Sequence, residues 1–254
     1  MADEEPVLLD QAEAVARVTL NRPGQRNAID LPTCLALRTI FEQLDGDETV
    51  RAVLITGAGP LFCAGADLKE RDGRDADWVR RRRLAAFAAY DAIERCSKPV
   101  IALVHGAAIG SGGEIALTAD FVFAEEDAWF RFPEPQWGTI GATQRLQRAI
   151  GLRGAKELLF TGRKLGAQEA YMRGLVARIA PKGTLDAAGQ EAAVAIAGAP
   201  PLAIRLTKQA MDLGARTDLA NGIRIELAAI DHNLSTDDWR KGQGKFLSRD
   251  KRNK

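Results

Sequence analysis

Histidine, cysteine and net charge are all in short supply in this 254-residue sequence, and each shortage narrows what the chain can do. There are two histidines, His105 and His232, and three cysteines, Cys34, Cys63 and Cys96, with no metal-ligand spacing joining them. An odd, scattered set of thiols does not make a disulfide framework and fits reduced cysteines in a cytoplasmic protein. A formal net charge of +1 argues against nucleic acid as the main partner, although charge can still be local. No uninterrupted apolar stretch reaches the roughly 20 residues of a membrane span, and the acidic opening Met1-Ala2-Asp3-Glu4-Glu5 lacks an apolar signal core. What remains is 46% hydrophobic and 27% charged, the balance of a globular chain with one sizeable core.

In order, Val15–Leu20 alternates as a strand and Asn21-Arg22-Pro23-Gly24 turns. A helix capped by Asp30 follows, and then a buried strand over Val50–Thr56. The pattern predicts a long helix from Ala76 to Arg95 carrying Arg80-Arg81-Arg82-Arg83, four successive arginines that point all round a helix and read as a solvated face. Short strands are expected at 99–104, 121–124, 129–132 and 175–179, with helices at 143–150, 151–161 and 167–173. From about Thr184 the pattern is helical throughout, with candidates at 185–197, 201–213 and 219–234. The tail from Arg240 to Lys254 carries seven basic residues against Asp250 alone, either a solvated end or a phosphate contact.

Two glycine-rich turns carry the chemistry. His105-Gly106-Ala107-Ala108-Ile109-Gly110-Ser111-Gly112-Gly113-Glu114 follows a buried strand and opens a helix, so backbone N–H groups are left free where the helix dipole favours negative charge. Phe62-Cys63-Ala64-Gly65-Ala66-Asp67-Leu68-Lys69-Glu70 is a second turn of small residues, with the Ala66 N–H as a candidate donor. Pro133-Glu134-Pro135 is expected to hold Glu134 extended, because the residue before a proline is pushed out of the helical region. Cys63 reads as a small packed thiol and His105 as an ordinary turn residue.

These turns, with Leu20-Asn21-Arg22-Pro23, Asn27-Ala28, Pro133-Glu134, Thr143-Gln144-Arg145-Leu146 and Gly174-Leu175-Val176, resemble the enoyl-CoA hydratase/isomerase (crotonase) superfamily over nearly the whole chain. The resemblance implies an α/β fold, a spiral of strand-strand-helix turns over residues 1–183, and a helical C-terminal oligomerisation region over 184–254 that builds trimers or hexamers. It implies an acyl-CoA thioester as substrate, with no cofactor beyond that coenzyme A moiety and no metal. The matching oxyanion-hole donors are Ala66 and Ser111, where many members have glycine, and Gly112 is the neighbouring candidate. Glu114 and Glu134 match the two hydratase glutamates, Glu134 as the acid that protonates Cα and Glu114 as the activator of water. Ala64 and Lys69 match coenzyme-binding positions. Phe246 and Arg249 match tail positions that meet the coenzyme from a neighbouring subunit. Trp137, close after Glu134, is the candidate for selecting the acyl chain. After Glu134, Gly138-Thr139-Ile140-Gly141-Ala142 is about three residues shorter than the family's usual loop and lacks its proline, which bears on how Glu134 is placed. The expected activity is reversible hydration of a 2-enoyl-CoA. Double-bond isomerisation or another acyl-CoA hydratase or lyase reaction is the alternative, and an RNA-binding homologue using Arg80–Arg83 and the basic tail is the alternative of a different class.

Overall fold

The structure is a computed structural model that describes residues 5–237 together with Trp239, Arg240, Gln243 and Gly244. Its strands are β1 (Val7–Ala12), β2 (Val15–Leu20), β3 (Ala52–Gly57), β4 (Val100–Val104), β5 (Ala107–Ile109), β6 (Phe121–Glu125), β7 (Trp129–Arg131), β8 (Leu165–Gly166) and β9 (Arg178–Ala180). Its helices are α1 (Leu31–Gly46), α2 (Ala76–Arg95), α3 (Ser111–Thr118), α4 (Thr143–Ile150), α5 (Leu152–Thr161), α6 (Ala167–Met172), α7 (Leu185–Ala197), α8 (Pro201–Gly214) and α9 (Leu219–Leu234).

A six-stranded sheet runs β1-β2-β3-β4-β6-β9, parallel throughout except for the β1–β2 hairpin. Parallel strands covered on both faces read as continuous apolar runs, and every residue of β4 is buried. One face packs on α1, α2 and α3 through residues such as Leu37, Phe41, Tyr90, Ile93 and Ile115. The other face packs on α7, where Leu54, Ile101 and Leu103 meet Leu185 and Ala193. Gly189 lets α7 approach closely, since a Cβ there would lie 2.6 Å from Leu103.

A second, smaller sheet, β5-β7-β8, holds the functional half of the molecule. The 61–66 segment runs beside it: Phe62 N–H donates to the His105 carbonyl, Cys63 N–H to Ala107 and Ile109 N–H to Cys63. Asn27 fastens this segment from behind, its side-chain amide donating to the carbonyls of Ala58, Leu61 and Phe62.

Two expectations change here. The run Arg80–Arg83 is only half solvated: Arg80 and Arg81 are exposed, but Arg82 is 2% exposed and Arg83 is partly buried. Arg82 pairs with Glu70 and donates to the Ile29 carbonyl, while the other Glu70 oxygen accepts the Leu31 N–H. Glu134, for its part, is not extended; its backbone is helical (φ −51°, ψ −48°) and opens a 3-10 turn over Pro135–Trp137. Its carbonyl accepts the N–H groups of both Trp137 and Thr139, and that turn outweighs the pre-proline preference.

Candidate active site

The two glycine turns meet. Gly65 has φ +100°, and a Cβ placed on it would lie 2.8 Å from the Ile109 carbonyl oxygen and 3.8 Å from Ser111 N. Only glycine fits at such an approach and such a dihedral. On one side, Ile29 N–H donates to the Gly65 carbonyl and Asp67 N–H to Ile29, so Ala66 is bracketed while its own N–H stays out of that bridge. On the other side, Gly110 takes the unusual conformation (φ +50°, ψ −114°) and Ser111, at the first position of α3, does not need a positive φ. The serine at a position where glycine is common therefore costs nothing in backbone strain. Among the described residues neither the Ala66 N–H nor the Ser111 N–H meets an acceptor.

Both donors open onto a cavity of about 310 Å³, a size suited to a small ligand. Glu114 and Glu134 line it too, 5% and 8% exposed. Burial pushes Glu134 up to about 7; the neighbouring Glu114 adds to the rise, and its own backbone N–H and Arg83 oppose it. One of its oxygens, Oε2, is buried without a hydrogen-bond partner. Glu114 is also raised by burial, but less freely, because it accepts the Ala142 backbone N–H and faces Arg145 and Arg83. Two carboxyls with different partners in one cavity suit an acid and a base.

The shortened loop is held from both ends. Arg83 donates to the Thr139 hydroxyl at 2.7 Å and to the Ile140 carbonyl. Ala142 adopts a left-handed conformation (φ 54°) as the loop enters α4, and its backbone N–H counters the rise in Glu114. The Glu134 side chain is wedged between glycines: a Cβ on Gly110 would lie 2.9 Å from Oε1, and one on Gly141 would lie 2.8 Å from Cγ.

The remaining expected residues fall in several places. Ala64 lines the cavity, and Trp137 stands at its mouth, 66% exposed. Lys69 is exposed at the start of a short 3-10 turn, Lys69–Arg71. Gly112 is buried one position behind Ser111, where a Cβ would lie 2.6 Å from the Cys63 carbonyl. The Cys63 thiol is fully buried and pushed up to about 12 by burial, which leaves it protonated and inert. Phe246 and Arg249 lie outside the described residues. No group of three or more His, Cys, Asp or Glu among the described residues could hold a metal ion, and no helix among them is long and apolar enough to cross a membrane.

Sequence reasoning missed Tyr90, Arg83 and Arg71. Tyr90 is buried, and its hydroxyl lies toward the Ser111 side chain on the cavity wall. A signal for Arg82 and Tyr90 was present: Arg82, Ala86, Ala89, Tyr90 and Ile93 recur at helical spacing and form the buried stripe of α2.

Residues 10–253 match the family described as enoyl-CoA hydratase/isomerase. The chain is 34% identical over 249 residues to a short-chain-enoyl-CoA hydratase of Clostridium acetobutylicum, covering 96% of this chain and 95% of that protein. It is 36% identical over 259 residues to the enoyl-CoA isomerase/hydratase fer4 of Mycosarcoma maydis, covering 97% and 94%. The crystal structure of an enoyl-CoA hydratase from Bacillus anthracis superposes with a TM-score of 0.93 at 36% identity, covering 96% of each chain. The two sheets and C-terminal helices are the crotonase-like α/β fold of that structure. The chain belongs to the enoyl-CoA hydratase/isomerase (crotonase) superfamily.

Proposed function

We propose that the protein hydrates a 2-enoyl-CoA thioester reversibly. The observation that carries this is the convergence of two acceptor-free backbone N–H groups and two differently partnered buried glutamates on one cavity. The thioester oxygen sits between the N–H groups of Ala66 and Ser111. Glu114 removes a proton from water as its oxygen bonds to Cβ. The electron pair of the double bond moves toward Cα and the carbonyl, where the two donors stabilise the enolate. Glu134 then gives its proton to Cα. Glu114 ends protonated and Glu134 ionised, and a proton exchange restores the pair. The test is loss of enoyl absorbance on mixing with crotonyl-CoA and with longer or branched enoyl-CoAs; no turnover of any of them would rule hydration out.

Double-bond isomerisation is the second reading, favoured by the loop after Glu134 being held by Arg83 rather than by its usual length. An isomerase needs one carboxyl as proton shuttle, so conversion of a 3-enoyl-CoA that survives Glu114→Ala would select it. RNA binding through Arg80–Arg83 loses support because Arg82 and Arg83 are spent on Glu70, Ile29, Thr139 and Ile140. For the coenzyme, Ala64 at the cavity and Lys69 at the surface remain the proposed contacts.

Self-association is part of the proposal. Helices α8 and α9 leave Met211, Leu219, Ile223, Ile230 and Leu234 exposed around a largely apolar groove of about 800 Å³. A face of that kind supports a homotrimer, or a hexamer of paired trimers, built through residues 184–254.

The active form has Glu134 protonated and Glu114 ionised. With Glu134 near 7, kcat/KM is expected to fall with rising pH above about 7 as its proton is lost, and to fall at acid pH as Glu114 takes one up. A profile that keeps rising to pH 9 contradicts Glu134 as the acid. Gly141→Ala should lower kcat about tenfold with a smaller change in KM, because the new Cβ must displace the Glu134 side chain and misplacement of a reacting group is costly. Unchanged steady-state constants in that variant would show that the carboxyl tolerates the shift.

A further inference from the structure

The hydration chemistry leaves one charged group of the cavity wall without work. Five arginines line the cavity, and four of them have partners or lie at its edge. Arg82 is paired with Glu70, Arg83 holds the Thr139–Ile140 loop, Arg131 donates to the Gly162 carbonyl, and Arg26 is exposed. Arg71 is different: its guanidinium makes no hydrogen bond or ion pair among the described residues, and its Nε is sealed from solvent with no acceptor. A buried guanidinium donor without an acceptor is costly unless something supplies one.

The location of Arg71 says what that acceptor belongs to. The charged and polar groups acting on it include Arg82, Arg83 and Tyr90 of α2 and Glu70 just before it. Burial, followed by the charges of Arg82 and Arg83, works against its own charge, so an incoming anion would be doubly favoured. Tyr90 in turn meets the Ser111 side chain and feels Glu114. Arg71 thus lines the same cavity as Ala66, Ser111, Glu114 and Glu134, while Lys69, two residues before it, is exposed at the surface. Leu68, Ala86 and Phe87 give the same wall an apolar stretch.

Resting on the hydration chemistry above, we propose that the acyl pocket takes a short 2-enoyl chain whose far end carries a carboxylate, and that Arg71 is the residue that recognises it. The apolar stretch covers the methylenes and the guanidinium pairs with the anion through charge-assisted hydrogen bonds.

The test separates this from the reaction itself. Binding of the unreactive analogues glutaryl-CoA and hexanoyl-CoA is measured by calorimetry on the wild-type protein and on Arg71→Met and Arg71→Lys. Turnover of glutaconyl-CoA and 2-hexenoyl-CoA is measured alongside. The wild type is expected to bind glutaryl-CoA about tenfold or more tightly than hexanoyl-CoA, with the preference lost in Arg71→Met and partly kept in Arg71→Lys. The ratio of kcat/KM for glutaconyl-CoA over 2-hexenoyl-CoA should fall by a similar factor in Arg71→Met. No preference in the wild type, or an equal loss for both thioesters in Arg71→Met, which would put Arg71 on the coenzyme phosphates, overturns the assignment. A retained glutaryl preference with no turnover of either enoyl thioester overturns hydration and upholds the subsite.

Discussion

Glu134→Gln is expected to lower kcat for hydration by about a thousandfold, within the usual worth of a positioned general acid. Glutamine has the same shape, so it still fits between Gly110 and Gly141, where no extra atom is tolerated, and KM should change little. What it lacks is a transferable proton at the position that faces Cα. The same substitution should stabilise the fold at high pH. The folded-state pKa of Glu134, about 7, lies above the ordinary 4.5, so the folded protein holds a proton that the unfolded chain has released. That contribution is fully present below about pH 4.5 and is lost as pH rises through 7, when a carboxylate must be kept in a buried site with Oε2 unpartnered. Glutamine never ionises, so at pH 8 the variant should be more stable than the wild type by roughly 3–4 kcal/mol, because about 7 and 4.5 differ by about 2.5 at 1.36 kcal/mol per pH unit. At pH 4.5 the two proteins should unfold together. Urea unfolding at both pH values, with steady-state kinetics on crotonyl-CoA, checks both halves. A variant that is inactive but not stabilised at pH 8 would mean that Glu134 is not held protonated by burial.

Much of this was legible before any coordinates. The helix at 219–234 begins where the Asp218 side chain caps it and the helix at 185–197 ends at Gly198, because those signals are local. The strands β1, β5 and β8 were not foreseen. β5 and β8 are three and two residues long, and their pairing with β7 is decided by partners 22 to 37 residues away. The last strand, expected at 175–179, forms at Arg178–Ala180 because its register is set by β6, not by its own composition. Glu134 shows the same competition at the site, where a nearest-neighbour steric preference yields to two hydrogen bonds on its carbonyl and a buried side chain. The arginine run misled for a related reason. Four like charges in a row suggest solvent, yet the stripe Arg82, Ala86, Tyr90 belongs to the core, and the guanidinium is met there by Glu70 and the Ile29 carbonyl. The shortened loop, which bore on where Glu134 could sit, is compensated by Arg83 and by the left-handed Ala142, neither of which a linear reading assigns to the glutamates.

Ser111→Pro should cost about a hundredfold to a thousandfold in kcat, the worth of one oxyanion donor, while the helix it opens stays intact. Proline suits the first position of a helix, where the N–H has no intrahelical acceptor and φ near −65° is already helical. Ser111 is that first residue of α3 and needs no positive φ, and Gly110 before it lies outside the right-handed helical region that a following proline disfavours. The substitution thus removes little except one N–H aimed at the cavity. Ser111→Gly keeps that N–H and loses the hydroxyl that meets Tyr90, so its kcat should fall by less than about tenfold. The pair of variants, followed with crotonyl-CoA and with circular dichroism to confirm the helix, separates backbone from side chain. Equal losses in both would assign the stabilisation to the hydroxyl. Retained activity in Ser111→Pro would move the second donor to the neighbouring Gly112 N–H, at the residue packed against the Cys63 carbonyl.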